Sequence, residues 1–105
     1  MNIEFIKEEV VKAARKANLK NCRIVLFGSY ASATNRLGSD IDLGLWCYSS
    51  PQQGELSLFE EALEDSRLPC QVDTVLLNKT PAEFAAGVLE KGITLYEDSD
   101  ENCRI

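Results

Sequence analysis

Apolar and polar positions alternate along the chain with two distinct periods. Over residues 2–18 the apolar positions Ile3, Ile6, Val10, Ala13, Ala14 and Ala17 recur at helical spacing, while Glu4, Lys7, Glu8, Lys12 and Lys16 take the opposite side. Asn18 and Asn21 then punctuate the pattern. Cys22-Arg-Ile-Val-Leu-Phe27 is apolar and β-branched and reads as a strand, broken by Gly28-Ser29 and a run of small residues to Gly38. Ile41 to Cys47 is almost continuously apolar, as expected for the middle of a sheet. A helix follows over 55–67 with Leu56, Phe59, Ala62 and Leu63 inward, ended by Pro69. Residues 70–77 read as a third strand. Thr80-Pro81-Ala82-Glu83 combines a capping box with proline at the first helical position, opening a helix to about Lys91 with Gly92 as its C′ residue. Ile93–Tyr96 makes a short last strand, and the acidic stretch 97–105 reads as a loose tail.

The order helix, strand, strand, helix, strand, helix, strand predicts an α+β fold, a mixed β-sheet flanked by helices. No long helix separates the first two strands, so they need not be parallel. At 105 residues and 45% hydrophobic composition, a single domain spanning 1–105 is expected, with a core that needs no metal or disulfide.

Charge and chemistry narrow the field. The net charge is −6, with 17 acidic residues, 11 basic ones and no histidine. This excludes Ser–His–Asp hydrolysis, His-ligated zinc and an imidazole base. It also argues against direct binding of a polynucleotide through a basic surface. Residues 1–36 carry seven Lys and Arg against three Glu, and the remainder carries four against fourteen acids. Such asymmetry marks either a polar site or solvated helix faces. Cys22, Cys47, Cys70 and Cys103 contain no CxxC pair. Two disulfides would suit an even count, but without an apolar leader they read as reduced structural thiols of a cytoplasmic protein. No apolar run approaches the ~20 residues of a membrane span.

One stretch carries candidate chemistry: Gly28-Ser29, ten intervening residues, then Ser39-Asp40-Ile41-Asp42. A glycine–serine turn after a buried strand presents backbone N–H groups to phosphate oxygens. Residues i and i+2 of a strand share a face, so Asp40 and Asp42 sit side by side. Like charges that close repel unless a cation such as Mg²⁺ or Mn²⁺ bridges them. The alternative is a turn residue and a solvent-facing one. An EF-hand fails, since Pro51 stands at position twelve, and a P-loop fails because no Gly-Lys-Ser/Thr follows Gly28. Asp73 interrupts an otherwise apolar strand, and if that strand lies beside 41–47 its carboxylate faces the same site. Three carboxylates around two metals clamp both oxygens of an in-line phosphoryl or nucleotidyl displacement.

With Gly28-Ser29, Arg36 ahead of Ser39-Asp40-Ile41-Asp42, Asp73 in a later strand and the ending Gly92-Ile93-Thr94-Leu95-Tyr96-Glu97, the chain resembles the minimal nucleotidyltransferases of the DNA polymerase β-like superfamily. The resemblance covers nearly the whole chain. It implies the polymerase β-like nucleotidyltransferase fold, ATP as substrate and two Mg²⁺ ions. Asp40, Asp42 and Asp73 would be the metal ligands and catalytic carboxylates, with Asp73 also helping to activate the acceptor. Gly28, Ser29, Arg36 and Ser39 would bind the nucleotide. It further implies an antitoxin paired with an all-helical HEPN-type toxin, to which some relatives transfer AMP at a tyrosine. The alternative is an antitoxin that neutralises its partner by binding alone. Two positions depart from the family's usual Gly-Ser-x-Ala-Arg-Gly, since Ser32 and Ala33 replace the last Arg and Gly. Arg36 is the nearest substitute cation, or else a surface loop residue. Tyr30 and Trp46 read as site neighbours or as core. Apolar sheet edges are compatible with a homodimer or a heteromer.

Overall fold

A computed structural model describes residues 3–28, 41–48, 53–68 and 71–98. The chain runs α1 (Ile3–Lys16), β1 (Cys22–Phe27), β2 (Ile41–Cys47), α2 (Gln53–Glu64), β3 (Val72–Leu76), a 3₁₀ turn (Leu77–Lys79), α3 (Ala82–Lys91) and β4 (Ile93–Asp98). The four strands form one sheet in the order β3-β2-β1-β4. β1 pairs antiparallel with both β2 and β4, whereas β2 and β3 are parallel. The expected mixed sheet is therefore present. A parallel β2–β3 pair requires a crossover, which α2 supplies.

Alternation along the strands divides the sheet into two faces. Ile24, Leu26, Ile41, Leu43 and Leu45 point one way and are buried with Ile6 and Val10 of α1 and Phe59 and Leu63 of α2. Val25 points the other way and packs with Leu77 and with Ala85 and Val88 of α3, and Phe27, Trp46 and Val75 flank this smaller cluster. Trp46 is thus a core-packing aromatic. Gly44 sits at the centre of the second face, where a Cβ would meet Leu77 Cδ1 at 3.0 Å and Val88 Cγ1 at 3.2 Å. Its missing side chain lets the 3₁₀ turn and α3 lie close to the sheet. Arg23 links β1 to β4 and to the same helix: Nε donates to Thr94 Oγ1 at 2.9 Å and a guanidinium N–H donates to the Leu89 carbonyl at 3.2 Å.

The helix ends have definite causes. Asn18 stands at φ 58° just past α1. Its N–H donates to the Arg15 carbonyl and that of Leu19 to Ala14, the two bonds of a Schellman cap with asparagine at C′. Glu9, on the buried stripe of α1, is 4% exposed, ion-pairs with Lys12 and accepts the Arg67 N–H at 3.0 Å. That bond ties α1 to the turn after α2, where Leu68 also packs on the core. The bond is also the main reason the Glu9 carboxyl titrates below its ordinary range. Ile3, expected on the inward stripe, is 38% exposed at the helix start.

Several boundaries differ from the sequence expectation. α2 begins at Gln53 and ends at Glu64, and β3 spans only Val72–Leu76 because Leu77–Lys79 turns into a 3₁₀ helix. The turn is fixed by Asn78, whose side chain donates to the Cys47 carbonyl and accepts the Cys47 N–H, continuing the β2 ladder by one side chain. The expected capping box is not made. Thr80 Oγ1 donates back to the Leu77 carbonyl at 2.7 Å, so Pro81, not Thr80, is the N-cap of α3, with no side-chain cap bond. Gly92 has φ −76°, which is not the left-handed C′ conformation. Glycine is needed there because a Cβ would overlap Val25 Cγ1 and stand 2.6 Å from the Val88 carbonyl oxygen. β4 extends two residues past Tyr96, pairing Asp98 with Cys22, so Glu97 and Asp98 belong to the sheet and not to a tail. Cys22 and Cys47 are free and buried, and burial pushes the Cys22 thiol up to about 12. Cys70 and Cys103 lie outside the described residues. Among the described residues, no helix is long and apolar enough to cross a membrane.

Candidate active site

The candidate site lies at one end of the sheet, where β1 finishes and β2 and β3 begin. Asp42 is the register partner of Phe27 across the antiparallel β1–β2 pair and of Asp73 across the parallel β2–β3 pair. Register partners on adjacent strands share a face and stand about one strand spacing, ~4.8 Å, apart. The two carboxylates therefore lie side by side on the α3 face of the sheet. The condition attached to Asp73 in the sequence, that its strand lie beside β2, is met.

Gly28 closes the third side. It follows β1 at φ +82°, in the left-handed region that favours glycine. A Cβ there would also overlap the Asp42 carboxylate at Oδ2. Two independent demands, backbone conformation and close approach, thus fix glycine at this position. Gly28 is exposed, Asp42 is half-buried and Asp73 is exposed, so the group opens to solvent.

Two adjacent carboxylates at a strand start are hard oxygen donors of the kind Mg²⁺ takes. The donor chemistry of Asp42 and Asp73 fits that ion. Among the described residues, no three Asp, Glu, Cys or His side chains converge on one point. The third carboxylate, Asp40, lies outside the described residues, as do Ser29, Arg36, Ser39, Ser32, Ala33 and Tyr30.

The sequence did not single out a cavity of about 370 Å³ between the end of β1 and α3, in which Phe27 and Gly28 face Phe84 and Gly87. The Phe27 and Phe84 rings meet edge to face, with centroids 6.0 Å apart. Nothing in the local pattern marked it, because Phe84 and Gly87 sit in an ordinary helical stretch and only the tertiary fold brings them to Gly28.

The family model for polymerase β nucleotidyltransferases matches residues 8–101. The chain belongs to this family. Among solved structures, the nucleotidyltransferase fold of this chain is similar to a protein described as a minimal nucleotidyltransferase. The two are 25% identical over 89% of this chain and 95% of that one, with a TM-score of 0.67. It is equally similar to a toxin–antitoxin crystal structure with AMP-PNP, at 23% identity, TM-score 0.67, over 92% of this chain and 76% of that one. A third neighbour is the complex of a tri-AMPylated Shewanella oneidensis HEPN toxin with an MNT antitoxin, at 22% identity and TM-score 0.60, covering 87% and 69%. A search of curated proteins finds no match.

Proposed function

We propose that this nucleotidyltransferase transfers AMP from ATP, with Mg²⁺, onto a tyrosine hydroxyl of a HEPN-type toxin and thereby acts as its antitoxin. The observation that carries the reading is the Asp42–Asp73 register with Gly28 closed against Asp42, which gathers three separate parts of the motif at one sheet end. The family supports nucleotidyl transfer, and neighbours described as an AMP-PNP-containing toxin–antitoxin and a tri-AMPylated toxin support the nucleotide and the partner.

In this reading the acceptor hydroxyl oxygen forms a bond to the α-phosphorus while the bond to the β-phosphate breaks, and pyrophosphate leaves in line. Asp73, on the outer strand of the pair, takes the hydroxyl proton. Gly28 and Ser29 hold the β- and γ-phosphates through backbone N–H groups and the Ser29 hydroxyl, with Ser39 beside them and Arg36 as counter-charge. Asp40, Asp42 and Asp73 would hold two Mg²⁺ ions, whose chemistry is to neutralise the phosphates and stabilise the entering and leaving oxygens. No imidazole is required, since positioning and charge stabilisation carry such a reaction.

The test is reconstitution of the full chain with the helical protein encoded beside it, ATP labelled at the α-phosphate, and Mg²⁺. The expected result is label on the partner, an intact-mass gain of one AMP and release of pyrophosphate, all lost in Asp42→Asn. An unlabelled partner that binds wild type and Asp42→Asn equally tightly would overturn transfer and leave neutralisation by binding, the alternative that Ser32 and Ala33 favour.

A further inference from the structure

The cavity beside Gly28 has features that packing of the fold does not explain. Gly87 lies inside α3, where glycine costs about 1 kcal/mol relative to alanine. Unlike Gly44 and Gly92, it is not forced by a neighbour: a Cβ at Gly87 would meet nothing within 4 Å. Its bare backbone is part of the cavity wall. Phe84, one turn earlier on the same helix, is 44% exposed with its ring against Phe27. The wall is thus two aromatic rings and a bare stretch of helix backbone, with Glu83 and Lys91 the charged residues among its lining. The volume of about 370 Å³ falls within the range of small-ligand pockets.

Its position selects the occupant. Sheet order places Asp73 on β3, Asp42 on β2 and Gly28 at the end of β1, and the cavity lies on the Gly28 side. An acceptor activated by Asp73 must approach from the opposite side of Asp42. The cavity therefore adjoins the nucleotide half of the site, sharing Gly28 with the proposed phosphate turn. The planar, apolar-faced part of a nucleoside triphosphate is its nucleobase, joined to the phosphates through the ribose, and aromatic rings are its usual stacking partners.

We infer that the cavity between Phe27–Gly28 and α3 seats the base of the nucleotide substrate, with Gly87 left bare so that the base can lie against the helix. The inference rests on the nucleotidyltransferase reading of the site. In the absence of a side chain at Gly87 the base gains room, and Phe84 supplies the ring it packs on.

The test titrates Mg²⁺–AMP-PNP and Mg²⁺–tripolyphosphate into the full chain and into Gly87→Leu and Phe84→Ala. Leucine is a strong helix former, so Gly87→Leu is expected to keep or raise the thermal midpoint while filling the cavity. Its Kd for AMP-PNP is expected to rise about tenfold or more, with tripolyphosphate affinity unchanged within about twofold. Phe84→Ala is expected to shift the same way. Unchanged AMP-PNP affinity in both variants would place the base elsewhere and overturn the inference. It would equally be overturned if Gly87→Leu bound AMP-PNP normally but no longer labelled the partner, since the cavity would then hold the acceptor. Wild type binding neither probe would be a different failure, that of the nucleotidyltransferase reading itself, and the inference would fall with it.

Discussion

The two faces of the sheet are built to different standards. The face under α1 and α2 is continuous: Ile24, Leu26, Ile41 and Leu43 are fully buried, and Phe59 closes over them. The face under α3 is covered only in its middle, where Gly44 admits Leu77 and Val88. Beyond Gly44, toward the start of β2, it carries Asp42 and Asp73 in place of apolar side chains, and Gly28 in a conformation few residues adopt. One face supplies the stability that the other gives up. Adjacent carboxylates, a left-handed glycine and an open cavity each weaken the fold locally, and all three sit at the same end of the same face.

That contrast can be attacked from either side. The largest effect is expected from Phe59→Ala on the closed face: about 3–5 kcal/mol of stability lost by urea denaturation, because a fully buried ring leaves a cavity that cannot collapse. Any nucleotide affinity lost in that variant should return in proportion to the fraction folded. Gly28→Ala is expected to cost less, about 1–3 kcal/mol, for a strained backbone position and the overlap with Asp42. Here AMP-PNP binding should fall even in fully folded protein, which calorimetry under native conditions would read. Asp73→Asn should go the other way. Removing one of two like charges in register is expected to raise stability by a few tenths to about 1 kcal/mol while abolishing partner labelling. A loss of stability in Asp73→Asn would break the contrast, because it would make the carboxylate a structural group.

The smallest effect concerns pH on the closed side. The Arg67 N–H bond holds the Glu9 carboxyl below its ordinary value. Its stabilising contribution is therefore complete above the unfolded value near ~4.3 and is lost as pH falls through the folded one. Urea midpoints of wild type should drop more steeply below about pH 4 than those of Glu9→Gln, with no difference in their slopes between pH 6 and 8.

Much of this fold was legible in the sequence because strand period and apolar run length survive tertiary context. The bounds of β1 and β2 match the pattern residue for residue. What failed was local chemistry with two available outcomes. Thr80 could cap α3 or bond back to Leu77, and the backbone turn at 77–79 decides for the latter. Gly92 does end α3, but in an extended rather than a left-handed conformation, and what requires glycine there is contact with β1. Asp73 could be assigned to the site only on condition of a strand pairing, and the register supplies that condition. Gly87 and the cavity were invisible, since no pattern within α3 distinguishes an open wall from a covered one.

Gly28 just after β1, Asp42 on β2 and Asp73 on β3 come together in a definite order as the protein assembles. β1 and β2 pair antiparallel and can meet as a local unit, but β3 joins β2 in parallel and must wait for the crossover through α2. A chain that has formed only its early hairpin holds the turn and one carboxylate, without the second. The two carboxylates of the candidate site therefore come together only after the crossover through α2 has formed, later than the hairpin that carries the turn.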